Sequence, residues 1–118
     1  MLRCLLVDDS EEFLASAARL LESQGIDVVA CATRGGEALE LAASLEPDVA
    51  LVDIELADED GIVLARELAA QTPSTRVVLI SAYDREELSE VIAGSPAAGF
   101  LSKSDLGLDG ITRLVSDG

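Results

Sequence analysis

The chain has 118 residues, a length that suits one domain, and 49% of them are apolar, which is enough to bury a core. Its formal net charge of −15 predicts a surface that repels nucleic acid and anionic lipid. With no His and no Cys-x-x-Cys pair, the sequence excludes the usual zinc and redox motifs.

The N-terminal segment contains an apolar run that stops almost at once in Asp8 and Asp9, so it is neither a signal peptide nor a membrane span. Cys4 and Cys31 lie in apolar runs and are predicted to be buried strand residues in a reducing compartment. We therefore expect a cytoplasmic protein with no membrane association and a single domain over residues 1–118.

Five short apolar runs, most of them rich in β-branched residues, recur along the chain and predict strands at 3–8, 28–32, 49–53, 77–81 and 99–102. Each run is apolar at consecutive positions, which is typical of central strands in a parallel sheet that is covered on both sides.

Between the runs, apolar residues recur at helical spacing. The five predicted helices carry Phe13, Ala17, Leu20 and Leu21, with Leu14 and Ala18 beside them; Ala38, Leu41, Ala42 and Leu45; Leu64, Ala65, Leu68 and Ala69; Leu88, Val91 and Ile92; and Leu108, Ile111, Leu114 and Val115. Gly25, Pro47 and Pro73 supply stop signals after the first three. Strict alternation of strand and helix predicts a doubly wound α/β fold, a three-layer (βα)5 sandwich.

Polar residues stand where the predicted strands end. The first strand ends in Asp8 and Asp9, the third in Asp53 and the fourth in Ser81, and the fifth runs into Lys103, the only lysine in the chain. Ligands of such sheets bind outside the carboxyl ends of the strands, so we expect these side chains to converge on one site.

Three carboxylates cannot simply be neighbours, because two like charges about 4 Å apart repel by roughly 4 kcal/mol at an effective dielectric of about 20. Either some are protonated or a cation lies among them. A cluster of oxygen ligands without His or Cys favours Mg²⁺ (or Mn²⁺). One carboxylate could then act as a nucleophile toward phosphorus, with Lys103 and Ser81 neutralising the oxygens of the transferred group.

With these residues in view, the chain resembles the receiver domain of bacterial response regulators over essentially its whole length. The resemblance is carried by five motifs in order: Leu6-Val7-Asp8-Asp9, Asp53, Asp60-Gly61, Ser81-Ala82 and Gly99-Phe100-Leu101-Ser102-Lys103. It implies a flavodoxin-like fold whose five-stranded parallel sheet has the order 2-1-3-4-5. The stretch from Ala97 to Lys103 resembles the NarL/FixJ branch, whose members usually carry a C-terminal DNA-binding domain.

The resemblance also implies the role of each site residue. Asp53 would be the phosphoacceptor, and Asp8, Asp9, Asp53 and the backbone carbonyl of Glu55 would hold Mg²⁺. Lys103 would assist phosphoryl transfer. Ser81 and Phe100 would be the switch pair, in which the hydroxyl moves to the phosphoryl group and the ring rotates. A sensor histidine kinase would be the donor, and the protein would not be an enzyme acting on a separate substrate.

Several positions depart from the family pattern. Ser104 replaces the usual proline after Lys103, which leaves the geometry of that loop open. Leu56 and Ala57 replace Met-Pro, Pro96 is expected to end the fourth helix early, and Glu55 and Tyr83 occupy positions that tune dephosphorylation in the family.

More ordinary interpretations stay open for some of these residues. Asp8 or Asp9 could cap the first helix, and Phe100 could simply pack in the core. Asp60 is expected to cap the third helix, with Asp58 and Glu59 as solvated loop residues.

Two other functions compete with the phosphoacceptor hypothesis. The first is a nucleotide- or flavin-binding module, which the acidic loop after the first strand disfavours because it would repel phosphate. The second is a degenerate receiver that binds partners without phosphorylation.

We expect the chain to be either an isolated receiver or part of a longer regulator. A transcription regulator with a further DNA-binding domain is the favoured context. A homodimer through the face of the fourth helix, fifth strand and fifth helix, or through another helical face, is the family expectation.

Overall fold

The computed structural model describes residues 2–56, 59–82 and 99–116. Its strands are β1 (Arg3–Val7), β2 (Asp27–Ala32), β3 (Val49–Asp53), β4 (Glu55–Leu56), β5 (Glu59–Asp60), β6 (Arg76–Ser81) and β7 (Gly99–Ser102). Its helices are α1 (Glu11–Ser23), α2 (Gly35–Leu45), α3 (Gly61–Gln71) and α4 (Leu108–Ser116). The predicted helix with Leu88, Val91 and Ile92 lies outside the described residues, as do Tyr83 and Pro96, so α4 is the fifth predicted helix.

Five strands form one parallel sheet in the order β2-β1-β3-β6-β7. The predicted order 2-1-3-4-5 is confirmed, since β6 and β7 are the fourth and fifth predicted strands. The sequence analysis did not anticipate β4 and β5, a two-residue antiparallel ladder between β3 and α3. Strand order reverses between β1 and β3, which places a crevice at their carboxyl ends.

Alternate residues of the central strands point to opposite faces of the sheet and build two cores. Leu5, Val7, Ala50 and Val52 pack with α2 and α3 on one face. Cys4, Leu6, Val49 and Leu51 pack with α1 and α4 on the other. The predicted three-layer arrangement is therefore confirmed for the described elements.

Two details of the predicted packing are wrong. Cys31 is exposed, because β2 is an edge strand that pairs only with β1 and most of its residues retain contact with solvent. Leu20 is also 40% exposed, because the face that α1 buries is formed by Leu14, Ala17 and Leu21. No helix in the described part of the chain combines the length and the apolar character that crossing a membrane would require.

The junction before α3 fixes the backbone next to Asp53. The Asp60 carboxylate caps α3 by accepting from the Ile62 amide at 2.8 Å, as predicted. The Gly61 amide donates to the carbonyl of Ile54 at 3.0 Å. A Cβ on Gly61 would overlap the backbone carbonyl oxygen of Asp53, so the chain can pass this close to β3 only with glycine here.

We predict that Gly61→Ala lowers the free energy of unfolding by about 1–3 kcal/mol, because the overlapping atoms belong to backbone that cannot rotate away. Gly36→Ala is the matched control, since a Cβ there meets nothing within 4 Å inside the same kind of helical first turn. It should cause no loss and gain up to about 1 kcal/mol. Chemical denaturation measures both; equal stability of the two variants would contradict the assignment.

Candidate functional site

The carboxyl ends of β1, β3, β6 and β7 bring Asp8, Asp53, Ser81 and Lys103 to the same edge of the sheet. Asp8 directly follows β1, and its backbone amide donates to the carbonyl of Ala32 at 3.1 Å, which extends the parallel ladder to this residue. Asp8 and Ser81 are fully buried, and Asp53 is only 4% exposed. Polar side chains buried at strand ends are unusual and indicate a site rather than a core.

The Lys103 ammonium bridges two carboxylates. Its Nζ lies 2.7 Å from Oδ2 of Asp8 and 3.4 Å from Oδ2 of Asp53. Asp9 is exposed, yet ligand oxygens of Asp8, Asp9 and Asp53 all lie within 4.8 Å of one another. The structure thus brings together all three predicted carboxylates and the lysine.

Burial raises the pKa of the Asp53 carboxyl from its ordinary value of 3.8 to about 6. A hydrogen bond from the Glu55 backbone amide and the charge of Lys103 oppose this shift, whereas the charge of Asp8 adds to it. Burial lowers the pKa of Lys103, but its pairing with Asp8 and Asp53 outweighs burial and leaves that pKa raised. Lys103 therefore stays positively charged in the pocket.

Glu55 contributes to the site in a way that the sequence did not indicate. Its backbone amide donates to Oδ1 of Asp53 at 3.0 Å and so orients the carboxylate. Its side-chain Oε1 accepts from the Ser81 hydroxyl at 3.3 Å. From the sequence, Glu55 was expected to offer a backbone carbonyl to the metal and to occupy a position that tunes dephosphorylation in the family; neither of these hydrogen bonds was predicted, because such contacts leave no spacing signal.

Local turns explain how the chain holds these residues. Ser10, rather than Asp8 or Asp9, caps α1, since its hydroxyl accepts from the Phe13 amide at 3.2 Å. Asp8 instead accepts from the Ser10 amide through Oδ1 at 2.8 Å, which leaves Oδ2 for Lys103. The alternative in which one of the two aspartates caps this helix is therefore wrong.

The loop after β7 forms a 3-10 turn at Lys103–Asp105. Ser102 caps the turn by accepting from the Ser104 amide at 3.4 Å, and no described peptide bond in the chain is cis. The two serine hydroxyls also lie 2.9 Å apart. Contacts between Ser102 and Ser104 therefore stabilise the turn at the position where the family pattern has proline.

Glu59 is exposed, as predicted, but it lies in β5 rather than in a loop, and its carboxylate has a partner. Both oxygens of its carboxylate accept from the Gly35 amide, at 3.0 and 3.1 Å, at the N-terminus of α2, where Arg34 supplies no side-chain cap. A carboxylate at a helix N-terminus satisfies an orphan amide and the helix dipole. Asp58 lies outside the described residues.

Phe100 is 8% exposed and belongs to the core cluster on the α2 and α3 face. This placement agrees with core packing in the present state. Its switch role stays a prediction.

The donor set fits a hard divalent cation. Every candidate ligand is an oxygen, and the carboxylates carry more negative charge than Lys103 neutralises. Mg²⁺ typically binds one or two carboxylates and keeps several waters, which suits a cluster with one exposed member. The acidic cluster could therefore bind such an ion.

Comparisons with known proteins identify a family and relatives for this chain. Residues 4–112 match the family described as Response regulator receiver domain. The chain is 33% identical over 120 residues to the DNA-binding transcriptional activator DevR/DosR of Mycobacterium tuberculosis, covering 99% of this chain and 54% of that protein.

Two solved structures are similar throughout. The signal receiver domain of the response regulator NarL from Mycobacterium tuberculosis has 34% identity and a TM-score of 0.79, with 98% of this chain and 91% of that chain covered. A response regulator from Burkholderia pseudomallei with a phosphorylated aspartic acid, a calcium ion and citrate has 26% identity and a TM-score of 0.82, with 98% and 66% covered.

A doubly wound fold with acids and one lysine at the carboxyl edge of its sheet defines a class of signalling domain, and the family match makes the assignment specific. The chain belongs to the response regulator receiver domain family. It spans about half the length of the transcriptional regulators that it matches. Similar proteins include both transcriptional regulators and protein-glutamate methylesterases, so the match does not single out the NarL/FixJ branch.

The Asp53 shift predicts a pH-dependent stability in metal-free solution. Between pH 3.8 and about 6 the native chain binds more protons than the unfolded chain, so the free energy of unfolding falls as pH rises. Asp53→Asn removes this charge. The free energy of unfolding of the variant should be close to that of wild type below pH 4 and should exceed it by on the order of 2–3 kcal/mol above pH 6.

Denaturation in a chelator across this pH range tests the prediction. Asp27→Asn, at an exposed position of β2, is the control and should change stability by less than about 0.5 kcal/mol. An Asp53→Asn variant no more stable than wild type at pH 7 would contradict burial of a charged carboxylate.

Proposed function

We propose that the chain, a single receiver domain over residues 1–118, accepts a phosphoryl group on Asp53 from the phosphohistidine of a sensor histidine kinase. The observation that carries the proposal is a buried Asp53 carboxylate whose Oδ2 lies 3.4 Å from the Lys103 ammonium, among oxygens of Asp8 and Asp9. The phosphorylated aspartate in the similar Burkholderia pseudomallei structure supports this proposal.

In the proposed reaction, an Asp53 carboxylate oxygen forms a bond to phosphorus while the bond from phosphorus to the imidazole nitrogen breaks. The imidazole leaves with the electron pair of that bond. Oδ1 already accepts from the Glu55 amide, so the carboxylate is held in one orientation, and Lys103 lies on the Oδ2 side to pair with an oxygen of the incoming group. The chain is a phosphoacceptor that assists its own modification rather than an enzyme with a separate substrate.

Asp8, Asp9, Asp53 and the backbone carbonyl of Glu55 would hold Mg²⁺ (or Mn²⁺). When bound, the ion supplies neutralisation of negative charge on the phosphoryl oxygens. Since Asp8 and Asp53 share Lys103 at present, the carboxylates are already placed around a positive charge.

Phosphorylation would then act as a switch. The Ser81 hydroxyl donates to Glu55 in this state, so a bond to the phosphoryl group requires it to exchange one acceptor for another. Phe100 would rotate as Ser81 moves. Shifting such an equilibrium almost completely requires about 5.5 kcal/mol of differential stabilisation, which several charge-assisted hydrogen bonds at a buried group can supply.

The proposed output is control of transcription through a C-terminal DNA-binding domain outside the 118 residues. Support comes from the similarity to DevR/DosR, a DNA-binding transcriptional activator, and from the match to about half the length of such regulators. The net charge of −15 also makes this domain itself a poor DNA binder.

We further propose a cytoplasmic location and a homodimer through the face of the fourth predicted helix, β7 and α4, or another helical face.

We predict that acetyl phosphate and Mg²⁺ add one phosphoryl group to the wild-type chain and none to Asp53→Asn, because Asp53 is the carboxylate that the Glu55 amide orients while Lys103 lies beside its other oxygen. Intact-mass spectrometry measures the addition. Asp27→Asn, which removes the same charge at a distant exposed position, should be labelled like wild type. An unlabelled wild type would favour the degenerate receiver, and equal labelling of Asp53→Asn would refute the assigned acceptor.

We also predict that Asp9→Asn weakens Mg²⁺ binding by about tenfold or more, because Asp9 is the exposed member of the oxygen cluster and loses one ligand charge. Isothermal titration of the unphosphorylated chain gives the affinity. Glu12→Gln on the exposed side of α1 carries the same charge change and should alter it little. Equal weakening in both variants would show that the ion responds only to overall charge.

A further inference from the structure

The Phe13 ring makes a contact with the site that the motifs do not include. The ring centroid lies 4.2 Å from Nζ of Lys103, which is well within cation–π range. The Lys103 side chain is only 22% exposed, so this contact is shielded from water. The helical pattern had assigned Phe13 simply to the buried face of α1.

We propose that Phe13 is a positioning residue, whose ring holds the Lys103 ammonium over the carboxylates and thereby sets how well the lysine serves phosphoryl transfer to Asp53. This inference rests on the proposed function of the site. It concerns a residue whose ring contacts Lys103 and that would act on Asp53 through this lysine.

The start of α1 explains why the ring reaches the lysine. Phe13 is the third residue of the helix, and its amide is held by the Ser10 hydroxyl, so its backbone position is fixed relative to the end of β1. Helical side chains lean toward the N-terminus of their helix. The ring therefore lies over the segment with Asp8 and Asp9, where Lys103 arrives from β7.

The ring differs from the other two anchors of Lys103 in one chemical respect. Asp8 and Asp53 hold the ammonium through oxygens that are also the proposed Mg²⁺ ligands. An aromatic face attracts the ammonium but is no ligand for Mg²⁺. The Phe13 contact therefore does not compete with metal binding, and it can retain the ammonium while the carboxylates serve the ion.

The loop after β7 increases the need for such an anchor. Lys103 opens a 3-10 turn that is capped by the Ser102 hydroxyl, which accepts from the Ser104 amide at 3.4 Å, at the long end of the hydrogen-bond range. The lysine side chain has many rotamers to lose on ordering. A ring on α1 restricts those rotamers through an element separate from this loop.

The lone lysine gives this proposal a direct test. In a chain labelled with ¹³C-lysine, Lys103 produces a single Hε/Cε signal in solution NMR because the sequence has no other lysine. Ring-current shielding should move the wild-type Hε signal upfield. Phe13→Tyr should keep the shift, whereas Phe13→Leu should return the signal toward the position of an exposed lysine. If Phe13→Leu does not fold, Phe13→Met fills a similar volume without a ring.

The same variants are then phosphorylated with acetyl phosphate at saturating Mg²⁺. We expect Phe13→Leu to slow the reaction by about threefold to tenfold and Phe13→Tyr to stay within about twofold of wild type. Leu20→Ala, at an exposed position of α1, is the control and should match wild type.

The outcomes separate the two proposals. An unshifted wild-type Lys103 signal overturns the positioning role, and so does a Phe13→Leu variant that loses the shift but keeps the wild-type rate. Equal slowing by Phe13→Tyr and Phe13→Leu also overturns it, because both would then act through packing. A wild-type chain that shows the shift but takes no phosphoryl group defeats the proposed function while the Phe13 contact stands.

Discussion

Repulsion among carboxylates at the carboxyl edge of a parallel sheet is the constraint on which the site depends. Asp8 and Asp53 are held by neighbouring strands, β1 and β3, so the sheet fixes their separation and neither can move away without breaking the ladder. Their charges are compensated inside the described pocket by Lys103, whose single ammonium contacts both. One positive charge cannot neutralise three aspartates, and the remaining excess is what makes the pocket attractive to a divalent cation.

Burial and orientation of Asp53 explain the chemistry that the pocket favours. A carboxylate in water is well solvated and a poor nucleophile, whereas burial leaves Asp53 with a pKa of about 6 and therefore ionised yet sparsely solvated near neutral pH. Its hydrogen bond from Glu55 fixes one oxygen and Lys103 lies beside the other. The fold thus supplies orientation and charge compensation, which are the main contributions of a protein to phosphoryl transfer.

The sequence predicted the strands and the residues at the strand ends because these features follow from regular patterns: apolar runs, stop signals and acids at fixed points. The order of the strands was implied by the resemblance to receiver domains. The sequence did not predict contacts that form only when distant parts of the chain fold together. The edge position of β2 exposes Cys31, and the carboxylate of Glu59 reaches Gly35 across 24 positions of the chain. The hydrogen bond from Ser81 to Glu55 and the ring contact of Phe13 likewise join residues far apart in sequence. No spacing rule encodes them.

The contacts that the sequence did not reveal occur where the described structure links separate elements to the site. Glu59 ties the β4 and β5 ladder to α2, and that ladder begins at Glu55, the residue that orients Asp53 and accepts from Ser81. If Ser81 moved away, the Glu55 carboxylate would lose this hydrogen bond. Glu59, on the other strand of the ladder, would still accept from the Gly35 amide. Because Glu55 and Glu59 sit on opposite strands of so short a ladder, rearrangement at one is constrained by the other. The hydrogen bonds of Glu55 and Glu59 thus link Asp53 to the N-terminus of α2 through this short ladder, in addition to the contacts that the parallel sheet provides.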